Sequence, residues 1–562
     1  CSRPRISTGS TMRPRNAALL LCLFGATTLQ AQPLPGGGIN AGALAEHIRV
    51  LASDEFEGRA PATPGEDKTV AYLAEQFEHA GLEPGGEDGG WTQRVTLVRS
   101  EIKGAVQAQF EIGDAIQTLA NSEDIAVESL HPAERVDLKG VPVVFAGYGV
   151  HAPELDWDDF GDIDVRGKLL VVLVNDPDFE TGEGRFGGRA MTYYGRWTYK
   201  YEEAARRGAA GVLIVHEDAP AAYPWATVRN GRNGPQLDIV RSDAERYHLK
   251  MRGWMQRATA ERLFAAAGLD FEAAKKAAQA PGFKAHALDG AALSIAFDVE
   301  HSRIVSRNVL GLLPGGGRAD ETVIVSGHWD HFGITPNADT SGDTLINGAV
   351  DNATALASMI ELARVFAAGE RPQRSLLFLA PTAEESGLLG AKYYVTQPLR
   401  PLATTAAVIN IEMWSPDGPT RDISSWGLGK VSLERSLEAA AAIDGRTRSL
   451  DENLAAGLFY RADHFAFAQA GVPALTLGPG TDLIEGGVEA GKAARARYFA
   501  ERYHQPSDEY DESWDMRGPT LDTQTVYRLV DSLARSSDWP QWDAASQFAA
   551  ERAKSEAQRA SR

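Results

Sequence analysis

The feature that most constrains this chain is the run Val323-Ile324-Val325-Ser326-Gly327-His328-Trp329-Asp330-His331, β-branched and apolar until it ends abruptly in His and Asp. A second run, Leu376-Leu377-Phe378-Leu379-Ala380, ends in Thr382-Ala383-Glu384-Glu385. Between them Gly348-Ala349-Val350-Asp351-Asn352 opens an apolar-periodic segment. Such runs predict strands and the periodic segment a helix. Metal-ligand residue types thus fall at two strand C-termini and one helix start, the edge of an open α/β sheet where ligands bind. Glu412 follows the run Val408-Ile409-Asn410-Ile411 in the same way, and His504 lies in the loop-type sequence Tyr503-His504-Gln505-Pro506-Ser507-Asp508. Singly, each residue has an ordinary reading: a hydrogen-bonded strand-end histidine, an acid offsetting a helix dipole, a helix cap. Together they point to a metal centre.

A chain of 562 residues holds roughly three to four domain-sized units. Its net charge of −20 argues against nucleic acid or an anionic membrane as partner and favours cationic groups such as free amino termini. Residues 12–31 read as a signal peptide, with Arg13 and Arg15 ahead of an apolar stretch and Leu29-Gln30-Ala31 as the cleavage region. That stretch is about half of what a bilayer span needs, so no stable membrane span is expected in the mature chain. Cys1 and Cys22 would be lost with it, leaving no thiol or disulfide. An exported bacterial protein, periplasmic or secreted, fits this pattern.

Helices are expected over Ala43–Leu51, from Thr63-Pro64-Gly65-Glu66 to Gly81, and over Ala353–Ala368. From Asp124 to Ala280 the texture changes, with strong strand runs at 141–149, 168–174 and 211–215, a helix at 199–207, an Ala-rich helix over 261–279 and no ligand cluster. That block reads as a small β-rich α/β domain inserted into a larger doubly wound α/β domain. The boundaries drawn are 40–123 and 281–540 for the two parts of the large domain, 124–280 for the insert and 541–562 for a charged tail forming a frayed or surface helix. The run Pro314-Gly315-Gly316-Gly317 lacks a helix start or a Walker lysine, so it reads as a hairpin turn rather than a phosphate loop.

Two histidines and three carboxylates form a natural ligand set for a pair of zinc ions. Asp351, between the two strand-end clusters, suits the carboxylate that two-metal sites need as a bridge. Of the adjacent acids, Glu385 suits a ligand and Glu384 a general base. Asp330 suits an acceptor fixing the His328 imidazole, and Asp508 one for His504.

The segments around His328-Trp329-Asp330-His331, Asn347 to Ala353, Thr382 to Glu385, Asn410 to Met413 and Tyr503 to Pro506 resemble, in order, the five metal-site motifs of the co-catalytic di-zinc aminopeptidase/glutamate carboxypeptidase family. Ser53 to Arg59 resembles a signature near the start of such domains, and 124–280 resembles an inserted protease-associated (PA) domain. The resemblance implies two Zn2+ ions, with His328 and Glu412 on one, Glu385 and His504 on the other and Asp351 on both. It also implies a mixed sheet of the zinc-exopeptidase type and a cis Asp351-Asn352 peptide. Glu384 would then be the general base, and Tyr460, with Tyr503 as rival, would bind the oxyanion. Two positions depart from the family: Glu412 stands where aspartate is usual, and Ala462 where a serine precedes the Asp463-His464 pair.

The implied activity is exopeptidase, an aminopeptidase acting on peptides with a free amino terminus. A carboxypeptidase of the glutamate carboxypeptidase type needs pocket arginines, for which Arg461 is a candidate. A glutaminyl cyclase shares the fold, but the insert argues against it. A non-catalytic receptor on the same scaffold would lose ligands and base, which this chain keeps. Side-chain preference and oligomeric state are not encoded legibly.

Overall fold

A computed structural model describes residues 33–562 except 233, 336–341, 427–429, 451–453, 545 and 561–562. The 12–31 segment therefore lies outside the described residues. Among those described, the main feature is a sixteen-stranded mixed sheet.

In chain order its principal strands are β1 (Thr92–Ile112), β2 (Ile125–Glu128), β3 (Arg135–Phe145), β4 (Leu169–Leu173), β5 (Gly211–His216), β6 (Met251–Gln256), β7 (His286–Leu313), β8 (Arg318–Ser326), β9 (Arg374–Ala380), β10 (Thr405–Ile411), β11 (Asp422–Ser425), β12 (Thr447–Leu450) and β13 (Ala474–Pro479). Their order across the sheet is β12-β11-β13-β10-β8-β9-β7-β3-β4-β5-β6-β2. The central strands β9, β8, β10 and β13 run parallel. Period-2 alternation sends Val323, Val325, Leu376 and Phe378 into one hydrophobic core and Ile324, Leu377 and Leu379 into another on the opposite face. Burial on both faces is why these strands read as unbroken apolar runs.

The first core is covered by α1 (Ala41–Leu51), α2 (Pro64–His79), α3 (Thr354–Ala368) and α4 (Arg517–Arg535). The Asn40 side chain accepts from the Gly42 and Ala43 amides and starts α1. A second core gathers Phe110, Phe145, Leu213, Phe264 and Leu293. It draws on residues 108–119 and 285–299 as well as those between, because β1 and β7 pair antiparallel along their length and run through both halves of the sheet.

Three local expectations change. The 314–317 turn does not close a hairpin: β9 lies between β7 and β8, and its four consecutive apolar residues need neighbours on both sides. The 261–279 helix is two helices, Arg257–Ala266 and Phe271–Ala278, separated at Gly268, whose φ is +74°. In the 541–562 segment, Trp542 and Phe548 join the first core and Arg552 is buried. No helix among the described residues is long and apolar enough to cross a membrane.

Candidate metal centre

The sheet delivers the candidate residues to one edge. His328 lies two residues beyond β8, Glu384 and Glu385 lie in the turn beyond β9, and Glu412 directly follows β10. Asp351 lies in the turn leading into α3, and its peptide bond to Asn352 is cis. His504 follows the helix Gly487–Glu501.

Five of these residues converge. Asp351 presents one carboxylate oxygen to each histidine, Oδ1 at 3.3 Å from His328 Nε2 and Oδ2 at 3.2 Å from His504 Nε2. His328 Nε2 is also 3.5 Å from Glu412 Oε2, and His504 Nε2 is 3.4 Å from Glu385 Oε2. Two donor triads thus share Asp351. With ligand distances of about 2.0–2.1 Å, a tetrahedral zinc site spaces its donors about 3.3 Å apart, close to these four histidine–carboxylate separations. His504 Nε2 is sealed from solvent with no hydrogen-bond partner among the described residues, as expected of a donor reserved for a metal.

The surrounding residues fix these donors. His328 Nδ1 lies 3.0 Å from the Asp330 backbone carbonyl and 3.8 Å from its carboxylate, so the carbonyl is the closer acceptor. The Asp330 carboxylate accepts instead from the Glu384 and Glu385 amides, at 2.9 and 3.4 Å, and so holds the adjacent acids in place. Asp508 likewise turns away from its expected role. It accepts from the Val350 amide at 3.2 Å and the Asp351 amide at 3.1 Å, fixing Asp351 rather than His504.

Several functional-site neighbours had not been singled out from the sequence. His331 is buried, and its Nδ1 is 2.7 Å from Glu385 Oε1. Asn352 and Asn410 grip Glu412 from both sides, at 2.9 and 2.8 Å. Arg59 donates to the carbonyls of Leu51, Trp329, Asn347 and Gly348, joining the 53–59 segment to the loops that carry His328 and Asp351. The signal for the asparagines was present: each adjoins a candidate ligand or its strand. Arg59 lay in a quoted signature, but its carbonyl partners are set only by tertiary structure.

The two tyrosines have different surroundings. The Tyr460 hydroxyl accepts from the Lys430 ammonium at 3.0 Å, and its ring packs against Tyr193 and Phe465. Tyr503 stacks on His504 with ring centroids 3.6 Å apart. Burial, then the charges of Asp351 and Glu385, push its hydroxyl well above the usual range.

The site is rich in acids. Burial, reinforced by Glu385 and Glu412, holds the Glu384 carboxyl well above its ordinary range. Glu385 is pushed up to about 8, first by burial and then by Asp351. Burial works against the charge on His328, but Glu384 and Glu412 outweigh it and keep the imidazole protonated well above its usual range. Asp463, at 0% exposure, has neither oxygen hydrogen-bonded among the described residues. Buried carboxylates concentrated in this way call for a cation. His328, Asp351 and Glu412 offer one compact set of donor atoms for it; His331, Asp351 and Glu385 offer another.

These features define an α/β protein with a candidate two-triad metal centre at the C-terminal edge of its parallel strands. Residues 308–525 match the family described as Peptidase family M28. It is 30% identical over 207 residues to a probable glutamate carboxypeptidase of Arthroderma benhamiae, covering 34% of this chain and 26% of that one. It is also 30% identical over 142 residues to the aminopeptidase NAALADL1 of Mus musculus, covering 24% and 17%. The matched part thus spans about a quarter or less of these curated relatives. Among solved structures, the aminopeptidase from Aneurinibacillus sp. strain AM-1 is similar over 89% of this chain and 95% of its own, at 17% identity and a TM-score of 0.49.

Proposed function

We propose that the protein is a di-zinc exopeptidase, an aminopeptidase that releases N-terminal residues. The observation that carries this reading is Asp351, whose two oxygens each face a different histidine-carboxylate pair. His328, Asp351 and Glu412 would hold one ion, and Asp351, Glu385 and His504 the other. When bound, the ions supply Lewis-acid polarisation of the scissile carbonyl and lower the pKa of water.

The chain's own residues supply the rest. Glu384 takes a proton from the attacking water and returns it to the leaving amine. Its raised pKa suits it to both steps. Asp330 fixes the backbone on which Glu384 and Glu385 sit. Tyr460 and Tyr503 are the two candidates to donate to the oxyanion. Asp463, buried and lacking a hydrogen-bond partner among the described residues, suits a free α-ammonium group, which favours an aminopeptidase. A cavity of about 540 Å³, lined by Val350, Met413, Trp426, Leu483, Tyr498 and Phe499, adjoins Asp351 and Glu412 in sequence and would take a large side chain. In the same reading the half built on the second core is a PA domain, and the protein is exported.

The test is a panel of aminoacyl substrates and N-blocked peptides, run with and without chelator and with Glu384→Gln. Cleavage of free-amino substrates only, abolished by chelator and by the variant, is the expected result. Cleavage confined to blocked peptides would overturn the aminopeptidase reading, and a metal-free active protein would overturn the zinc reading.

A further inference from the structure

The phenyl rings that this protein leaves in solvent are not spread evenly. Among the described residues, the exposed phenylalanines are Phe332 at 42% and Phe499 at 37%. Both stand beside the same pair of rings. Tyr503 stacks on His504 at 3.6 Å, Phe499 meets Tyr503 at 4.9 Å and Phe332 meets His504 at 4.5 Å. Leaving a phenyl ring in water forgoes about 25 cal/mol per Å² of apolar burial, so exposed rings gathered around a candidate metal ligand mark a surface that a ligand covers.

Phe499 already has a place, in the wall of the cavity that adjoins Asp351 and Glu412 in sequence. Phe332 does not. Tyr503 meets the cavity rings Tyr498 and Phe499, at 6.1 and 4.9 Å. Phe332 makes no ring contact with any of these three and packs instead on His504 and, at 5.1 Å, on His331. It therefore lies outside the cavity, on the far side of His504 from it. His331 and His504 both reach Glu385, at 2.7 and 3.4 Å, so the exposed ring borders the Glu385–His504 end of the donor set.

The backbone on either side of this ring is fixed. The His331 amide donates to the Arg59 carbonyl at 3.2 Å. Gly333, at φ +73°, lies so close to Ala60 that a Cβ there would come within 2.7 Å of the alanine methyl. A Cβ on Gly58 would come within 2.8 Å of Gly333 Cα. Both chain neighbours of Phe332 are thus held against the Gly58 to Ala60 segment. A contact surface held in advance costs little further ordering when a ligand meets it.

We propose that Phe332 forms the wall of a subsite for an apolar or aromatic side chain on the residue that follows the scissile bond. The enzyme then selects its substrates by two side chains rather than one. In the aminopeptidase reading, the cavity takes the side chain of the released residue and Asp463 its amino group. The scissile carbonyl sits at the two triads that share Asp351, so the next side chain falls beyond the cavity, where Phe332 is the exposed apolar group. Aromatic rings favour tilted or edge contacts at centroid separations of about 4.5–7 Å. Phe332 already makes such contacts with His504 and His331, and its open surface offers the same geometry to a third ring. This proposal deepens the aminopeptidase reading above and rests on it.

The test uses metal-loaded protein and peptides that share an N-terminal leucine and carry Ala, Leu, Phe or Lys as the second residue. An apolar contact of this size is expected to favour Phe and Leu over Ala by about tenfold in kcat/KM. In Phe332→Ala that ratio should fall towards one through slower cleavage of the phenylalanyl peptide, while Phe332→Leu should retain part of it. A second series, with the N-terminal residue varied ahead of a constant alanine, should keep its order of preference in Phe332→Ala. Wild-type protein indifferent to the second residue, or preferring Lys there, would overturn the proposal. So would a preference that survives Phe332→Ala, an equal loss on every peptide, or a changed order in the second series. Calorimetry on the metal-loaded Glu384→Gln protein separates this proposal from the one it rests on. If no peptide is cleaved but Leu-Phe binds more tightly than Leu-Ala and Phe332→Ala removes the difference, the apolar subsite stands and the peptidase reading falls. If peptides are cleaved with no preference after the scissile bond, the subsite falls and the peptidase reading stands.

Discussion

Asn352 Nδ2 donates to Glu412 Oε2 at 2.9 Å, so the residue beside Asp351 also fixes the carboxylate at the end of β10. Asn410 grips the other oxygen at 2.8 Å. The longer side chain at 412 is thus held at both oxygens, with Oε2 still 3.5 Å from His328 Nε2. Removing an outer partner of a metal ligand typically costs about 10–100-fold in affinity or activity. In the proposed di-zinc site, Asn352→Ala should weaken one of the two metal equivalents by that factor, measured by competition with a chelator. Activity should recover at saturating zinc. Unchanged affinity for both ions would show that this clamp does not support a ligand.

Glu384 and Glu385 are neighbours in sequence with different tasks in the proposed reaction. Glu385 faces His504 at 3.4 Å, while the Glu384 carboxyl has no hydrogen bond to either histidine. Glu384→Gln should lower kcat by about 10²–10⁴-fold while metal content stays the same. Glu385→Gln should lose metal. Metal analysis beside kcat separates the two outcomes, and equal metal loss in both variants would contradict the assignment.

The strand ends were legible because the central strands are buried on both faces and must be continuously apolar until the chain turns. The convergence of His328, Asp351, Glu385, Glu412 and His504 was legible because sheet topology carries C-terminal strand ends to one edge. The strand order was less so. Nothing local states that β9 lies between β7 and β8, since that depends on which neighbours can cover Leu376 to Leu379 on both sides. The roles of Asp330 and Asp508 went astray for a related reason. Spacing brings each near a histidine, but backbone amides at Glu384 and Val350 to Asp351 compete for the carboxylates and are the closer donors.

The acid-rich centre should make metal-free protein sensitive to pH. The Glu385 carboxyl is raised from its ordinary value to about 8. Between that ordinary value and about 8, the folded chain holds a proton that the unfolded chain has lost. Stability from this group is therefore present at low pH and lost as pH rises through that window. Glu384 acts in the same direction. Bound divalent metal replaces those protons, so the gap in Tm between metal-loaded and chelated protein should widen from pH 5 to pH 8. Thermal scans of both forms measure it, and a gap that narrows with rising pH would contradict this account of the site.

Arg59 offers a test of how the fold supports the centre. Its guanidinium is buried and donates to Leu51, Trp329, Asn347 and Gly348 carbonyls at 2.7, 3.0, 2.6 and 2.9 Å. Two of those carbonyls belong to the loop leading to Asp351, and a third lies between His328 and Asp330. Burial lowers the Arg59 pKa to about 10, with the charge of Asp351 opposing that effect, so the side chain remains a cation beside an acidic site. Arg59→Met would leave several carbonyls without a donor, each costing about 1–3 kcal/mol when buried. Relaxation recovers part of that sum, so a net loss of about 3–5 kcal/mol is expected. Arg59→Lys keeps the charge but cannot reach all four carbonyls, and should fall between wild type and Met. Denaturant unfolding measures the loss, and metal affinity should fall in the same rank order because the Asn347-Gly348 loop positions Asp351. A Met variant that unfolds at the wild-type denaturant midpoint would mean these carbonyls find other donors and that the 53–59 segment is not what holds the two metal-site loops together.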